Sequence, residues 1–261
     1  TAAFMADLFS IPQQETISIL DPGAGTGILT IALIERLQTE PAICQIEVVC
    51  YENDPNVQDL LQSNLDWACQ HSNKAVSYRV ITDNYILSQM SDYNYMFDAN
   101  PNPKKFDLII GNPPYMKIAK DAPEAVAMPD VCYGAPNLYF LFASMSLFNL
   151  RDAGEMVYII PRSWTSGAYF KRFRQEFFRI GALEHIHLFV SRDKVFEKES
   201  VLQETIIIKV KKTATKPNTI TVSTTQNNRD FTNRTIFEAP YATVVNGEDQ
   251  YVYLVTNEDE A

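Results

Sequence analysis

Short apolar runs alternate with helical patterns along most of this chain. Runs of five to eleven residues rich in Ile, Val and Leu predict strands, and apolar positions repeating every three to four residues predict helices. The predicted strands are residues 16–20, 46–51, 76–81, 106–110, 156–160, 182–190 and 201–211. The predicted helices are residues 28–37, 56–71, 137–150 and 170–180. Strands that alternate with helices at this spacing predict an α/β fold with a doubly wound, mostly parallel sheet.

The pattern changes near residue 213. Beyond it the chain becomes rich in Thr and Asn, with short β-type runs at 219–223 and 251–255. We therefore predict a main domain over residues 1–212 and a small C-terminal extension, or the start of a target-recognition region, over residues 213–261. The segments 92–105 and 116–135 carry scattered Pro and polar residues, which predicts a loop for the first and a long loop or lid for the second. Because the chain starts at Thr1, within a helical pattern, we expect a longer parent protein.

The composition describes a globular protein. Hydrophobic residues make up 46% of the 261 residues, which excludes disorder of the whole chain. No apolar stretch approaches the roughly 18 residues needed to span a bilayer, so we expect no membrane segment. The four cysteines show no CxxC spacing, which argues against a zinc site or a disulfide framework and favours a reducing, cytoplasmic location.

The charge is acidic overall but uneven. The formal net charge is −10, which counts against a nucleic-acid partner because phosphate contacts need Lys and Arg. Residues 162–212, however, hold 11 Lys or Arg against 6 Asp or Glu. This basic segment is equally compatible with phosphate contacts and with an ordinary solvated surface.

A glycine-rich turn follows the first predicted strand. Gly23, Gly25 and Gly27 let the backbone approach a ligand closely at the carboxyl edge of the sheet. The spacing is neither the dinucleotide pattern nor a phosphate loop. Glu52 ends the second strand, where a carboxylate can accept both hydroxyls of a ribose, and Asp83 ends the third, where it can accept from an adenine amino group. Together they predict a nucleoside site.

The sharpest motif is Asn-Pro-Pro-Tyr, residues 112–115, after the fourth predicted strand. Two prolines make a stiff turn whose carbonyl groups stay free. The side-chain oxygen of Asn112 and the carbonyl of Pro113 can then accept both N–H bonds of a planar amine, while Tyr115 offers a flat face for stacking. Two such dipoles stabilise the positive charge that grows on an attacking nitrogen.

These motifs resemble those of the S-adenosylmethionine-dependent adenine DNA methyltransferases of bacterial restriction-modification systems. Residues 21–27 resemble that family's cofactor loop, and the order of the motifs resembles its gamma group. The resemblance implies a Rossmann-like methyltransferase sheet with a late antiparallel strand, S-adenosylmethionine as cofactor, and Asp21 among the cofactor-binding residues. It also implies a duplex DNA substrate whose target adenine swings out to stack on Tyr115 and Phe196, and a target-recognition domain or subunit outside this segment.

Two other functions remain open from the sequence. Release-factor methyltransferases use the same four-residue turn on a protein glutamine, whose amide is also a planar amine. A methyltransferase-like module that only binds its cofactor or DNA is the non-enzymatic alternative. Such a module would have no need for the acceptor pair at residues 112 and 113, so the intact turn favours an enzyme.

Overall fold

A nine-stranded sheet forms the centre of the molecule. The computed structural model describes residues 1–94, 105–134, 136–191 and 201–260, without the side chains of residues 191 and 201–203. The strands are β1 (Thr16–Asp21), β2 (Gln45–Tyr51), β3 (Ala75–Ile81), β4 (Phe106–Gly111), β5 (Leu150–Pro161), β6 (Gly181–Ser191), β7 (Val201–Lys212), β8 (Thr219–Thr225) and β9 (Thr235–Pro240), with a separate two-stranded pair, β10 (Val245–Asn246) and β11 (Tyr251–Val252).

Helices cover both faces of the sheet. The helices are α1 (Ala2–Asp7), α2 (Ile28–Leu37), α3 (Pro55–His71), α4 (Tyr85–Asn94), α5 (Pro123–Ala127), α6 (Leu138–Asn149), α7 (Lys171–Ile180) and α8 (Tyr241–Val244). Their starts carry the expected chemistry. Asp54 caps α3 by accepting from the backbone N–H of Asn56 at 2.9 Å, and Asn137 caps α6 by accepting from that of Tyr139 at 3.3 Å.

The strand order is β3-β2-β1-β4-β5-β7-β6-β8-β9. The first five strands in this order run parallel, while β7 is antiparallel to both β5 and β6. The predicted parallel, doubly wound sheet with a late antiparallel strand is therefore confirmed. The order reverses between β1 and β4, and such a switch point is where α/β sheets bind their ligands.

Two hydrophobic clusters, one on each face, hold the layers together. Neighbouring strand residues alternate between them: Ile19 and Leu108 belong to the cluster with α1, α2 and α3, while Leu20 and Ile109 belong to the cluster with α6 and α7. All four side chains are fully buried. A parallel sheet covered on both faces requires such continuous apolar strands, which is the pattern that the sequence carries.

The C-terminal strands extend this sheet. β8 pairs in parallel with β6, and β9 pairs antiparallel with β8. The boundary predicted at residue 213 falls between β7 and β8, and a division into two domains there stays a prediction. Among the described residues, no helix has the length and apolar character to cross a bilayer.

Several elements differ from the sequence prediction. Helices α4 and α8 and strands β9 and β10 were not predicted, helix α5 lies within the predicted loop 116–135, and β5 begins at Leu150 rather than at residue 156. The early part of β5 contains polar residues and Ala153, whose φ of 62° is unusual for a residue with a side chain. A search for alternating apolar residues therefore does not identify the first part of β5.

Candidate active site

The carboxyl ends of β1, β2, β3 and β4 surround a cavity of about 370 Å³. Five of the predicted site residues line it, although they come from four different segments of the chain. These residues are Gly23, Gly25, Glu52, Asp83 and Asn112. The fold therefore brings the predicted nucleoside site and the Asn-Pro-Pro-Tyr turn to the walls of one cavity.

The glycine-rich turn leaves room above its backbone. Gly25 and Gly27 have φ values of 54° and 84°, a region that side chains disfavour. A Cβ atom at Gly25 would meet no described atom within 4 Å, so this backbone faces open space. A Cβ atom at Gly23 would lie 3.9 Å from the carbonyl oxygen of Asn112. The turn therefore packs directly against the start of the Asn-Pro-Pro-Tyr motif.

Glu52 holds the glycine-rich turn in place. One carboxylate oxygen accepts from the backbone N–H of Gly25 at 2.7 Å, and the other accepts from that of Asp54 at 2.8 Å. Each carboxylate oxygen can accept a further hydrogen bond, so both remain able to bind a ligand hydroxyl. The structural role is observed, and the ligand role expected from its place at the end of β2 stays a prediction.

Asp21 lies beneath the turn and is fully buried. Its carboxylate accepts from the Thr30 hydroxyl at 2.7 Å. The pKa of Asp21 is raised to about 7, chiefly by burial and to a smaller extent by the negative charge of Glu52, while the hydrogen bonds from Thr30 and the Gly23 backbone oppose the rise. A nearby cation would reverse this shift by stabilising the ionised form.

Asp83 lies at the end of β3, beside a residue that connects two segments. The Asn84 side-chain oxygen accepts from the backbone N–H of Leu87 at 3.1 Å and so starts α4. Its amide nitrogen donates to Glu124 of α5 at 2.7 Å. The cavity wall at Asp83 is therefore tied to the segment that follows the Asn-Pro-Pro-Tyr turn.

The Asn-Pro-Pro-Tyr turn extends β4 beyond the sheet. The Tyr115 hydroxyl lies 2.7 Å from the side-chain oxygen of Asn112 and 2.9 Å from the carbonyl oxygen of Ile159. Burial raises the pKa of Tyr115 to about 12, so the hydroxyl keeps its single proton and donates it to one of these oxygens. A carbonyl oxygen accepts two hydrogen bonds, so Asn112 can still accept from a ligand amine.

Known proteins resemble this chain over nearly its whole length. Residues 39–196 match the Eco57I restriction-modification methylase family. The chain belongs to this family. It is 35% identical over 262 residues to the type II methyltransferase M.PstI of Providencia stuartii and 31% identical over 263 residues to the type II methyltransferase M.BsuBI of Bacillus subtilis. Each match covers 98% of this chain, and the chain spans about half of either relative, 50% and 51%.

The fold of the methylase is that of the class I methyltransferases. A solved structure from Listeria monocytogenes, described as a class I S-adenosylmethionine-dependent methyltransferase, superposes with a TM-score of 0.62. The match has 16% sequence identity and covers 87% of this chain and 64% of that one. S-adenosylmethionine is the cofactor that this family and fold imply.

The residues of the methylase fit that cofactor. The open space above Gly25 admits a ligand against the backbone, and Glu52 presents carboxylate oxygens to the same cavity. The buried carboxylate of Asp21 beneath the turn suits a positively charged group, since its raised pKa shows how costly an unpaired charge is there. Asp83 supplies a second carboxylate, on the wall formed by β3.

Four predicted site residues of the methylase lie outside the cavity lining: Asp21, Gly27, Pro113 and Tyr115. Gly27 begins α2, Asp21 lies beneath the turn, and Tyr115 faces β5, with 44% of its surface exposed. Pro113 lies against the glycine-rich turn, its Cα 3.9 Å from the position of a Cβ at Gly23. Phe196, the residue expected to stack on a flipped base, lies outside the described residues.

Sequence reasoning missed several residues of the methylase cavity. Asn84, Met116 and Phe142 line it, beside Leu138 at the start of α6. Asn84 directly follows the predicted Asp83, and an Asn before an apolar run is a recognisable helix cap. Met116 and Phe142 carry no such signal because apolar residues are equally expected in the core.

Proposed function

We propose that this methylase transfers a methyl group from S-adenosylmethionine to the exocyclic amino group of adenine in DNA, as the modification part of a restriction-modification system. The observation that carries the proposal is the contact between the glycine-rich turn and the Asn-Pro-Pro-Tyr turn at one cavity. A cofactor bound over Gly25 and a base amine bound at Asn112 would then meet within the same space.

The protein's own contribution is to position and to stabilise charge. Asn112 and the carbonyl of Pro113 accept the two N–H bonds of the amine and hold its lone pair toward the methyl donor. The cofactor supplies an electrophilic methyl group on a sulfonium. Positive charge would grow on nitrogen as the N–C bond forms and the S–methyl bond breaks, leaving a neutral thioether, and the two fixed dipoles would stabilise that charge. The resulting ammonium is acidic enough to lose a proton to water, so the mechanism assigns no general base.

Several features support DNA adenine as the target. The motif order and the turn sequence resemble adenine-specific DNA methyltransferases, and the relatives M.PstI and M.BsuBI are type II methyltransferases. Tyr115 presents an exposed ring next to Asn112, which suits stacking with a base swung out of the duplex. The proposal includes a cytoplasmic location and a target-recognition domain or subunit elsewhere.

A methyl-transfer assay tests the proposal. The protein expressed from its complete gene is incubated with radiolabelled S-adenosylmethionine and either duplex DNA or a protein extract. We expect label in DNA, and we expect Asn112→Ala to lower turnover about a hundredfold or more, as removal of one oriented group does in comparable sites. Cofactor binding should survive in this variant. Label confined to protein would replace the proposal with glutamine methylation.

A further inference from the structure

A second polar cavity lies beside the Asn-Pro-Pro-Tyr turn, at the same edge of the sheet. It has a volume of about 630 Å³ and is formed by the end of β5, the start of β7 and the segment after β11. We call it the Arg162 cavity. Its polar lining consists of Arg162, Ser163, Thr165, Ser166, Glu204 and Tyr253.

One tyrosine links the Arg162 cavity to the candidate active site. The Tyr139 hydroxyl lies 3.1 Å from the hydroxyl of Ser163, which lines the Arg162 cavity. On its other side the Tyr139 ring meets the ring of Tyr115 edge to face, with 6.3 Å between the ring centres. The two sites are therefore separated by little more than one aromatic side chain.

Arg162 is an exposed cation available to a ligand. Four of the five basic residues between β5 and β6 have protein partners. Arg174 is fully buried and donates to the carbonyl oxygens of Trp164, Gly167 and Asp249. Lys171 forms an ion pair with Asp249 at 2.6 Å, and Arg179 forms one with Glu176 at 2.8 Å. Arg172 donates to the carbonyl oxygen of Cys132 at 3.4 Å. Arg162 has no hydrogen bond or ion pair within the described part of the chain, even to Glu204 of the same cavity.

Arg162 lies beyond the level of Asn112, where the sugar and phosphate of a nucleotide bound at Asn112 would be. Gly111 pairs with Tyr158, so Ile159 is level with Asn112. Each strand residue advances ~3.3 Å, so Pro161 lies about 7 Å further along β5, beyond the level of Asn112. A base with its amine at Asn112 would have its sugar and phosphate further out again, beside Arg162.

We propose that the Arg162 cavity receives the sugar and phosphate of the flipped nucleotide, with Arg162 binding the phosphate; the inference rests on the proposed function. The hydroxyl groups of Ser163 and Ser166 provide further donors for phosphate oxygens. The carboxylate of Glu204 repels phosphate from its side of the cavity and so confines the binding position to the side of Arg162.

The first test measures DNA affinity against salt concentration. Arg162→Gln should reduce the magnitude of the slope of log association constant against log salt concentration by about 0.9, the value for one lost phosphate contact. The variant should also bind DNA at least about tenfold more weakly. Glu204→Gln should tighten binding, by up to about fivefold. Arg179→Gln removes the same charge from an exposed, ion-paired position and serves as the control. A slope for Arg162→Gln equal to that of Arg179→Gln would overturn the inference.

The second test locates the phosphate that Arg162 contacts, by changing the DNA and comparing the wild-type protein with Arg162→Gln. Each phosphate flanking the target adenine is replaced in turn by a neutral methylphosphonate. One replacement should weaken wild-type binding about as much as Arg162→Gln does, and combining it with that variant should cause little further loss. Additive losses at both phosphates would refute the contact. Failure of the wild type to methylate DNA at all would instead overturn the proposed function.

Discussion

Replacing Glu52 tests the cofactor site most sharply, because this carboxylate bonds the glycine-rich turn and faces the cavity. Its two oxygens accept from the backbone N–H groups of Gly25 and Asp54. In Glu52→Gln one of these acceptors becomes an NH₂ group, which would face a backbone donor. The variant therefore loses the negative charge and also one of the two hydrogen bonds that Glu52 accepts from backbone N–H groups.

The expected loss of cofactor affinity follows from the hydrogen bonds that the substitution removes. A hydrogen bond to a charged group contributes about 1.5–3 kcal/mol. Loss of two such bonds to a ribose weakens cofactor binding by about 3 kcal/mol or more, which is about a hundredfold in Kd. We expect this loss in Glu52→Ala. Glu52→Gln should lie between this variant and the wild type, because one acceptor oxygen remains.

Isothermal titration with S-adenosylhomocysteine measures the effect directly. Glu47→Gln is a matched control, since Glu47 lies on the same strand, is exposed and accepts from the Gln45 side chain. Turnover at saturating cofactor should change far less than KM, because Glu52 does not contact the reacting amine. A Kd for Glu52→Ala within about threefold of the wild-type value, with an unchanged melting temperature, would refute the assignment.

Two further predictions concern stability. Gly27→Ala should lower the free energy of unfolding by about 1–2 kcal/mol in urea denaturation, because its φ of 84° disfavours a side chain; a variant as stable as the wild type would contradict this conformation. Burial lowers the pKa of His187 to about 3. Between pH 6.5 and pH 3 the unfolded state therefore binds this proton and the folded state does not. The free energy of unfolding should fall over this range by up to about 1.4 kcal/mol per pH unit. His187→Gln should reduce this acid sensitivity, and an unchanged pH profile would contradict the prediction.

Local motifs allowed much of the candidate site to be predicted. The glycine turn, Glu52 and Asp83 stand at strand ends, and parallel strands end at one edge, so their meeting follows from the fold class. The direct packing of Gly23 against Asn112 depends on β1 and β4 being neighbours. The sequence pattern contains no information on strand order, so this contact could not be predicted.

The basic segment shows where sequence reasoning reaches its limit. On a helix with a regular amphipathic pattern, Arg174 and Lys171 are indistinguishable from solvated or phosphate-binding residues. In the structure Arg174 is fully buried and binds three backbone carbonyl groups, because the segment around Asp249 folds over α7. Such a role depends on a segment 75 residues away along the chain. The same limit applies to Arg162, whose cavity includes residues that follow β11.

The most direct test of the central claim is mass spectrometry of nucleosides from cells that express the complete gene, beside cells that express the Asn112→Ala version. The account predicts N6-methyladenine in DNA from the wild type and its loss in the variant. N4-methylcytosine instead would retain amine methylation at the Asn112 turn but contradict adenine as the target. Equal N6-methyladenine in both samples would contradict the role of Asn112. Methylated bases in neither sample would contradict DNA as the substrate.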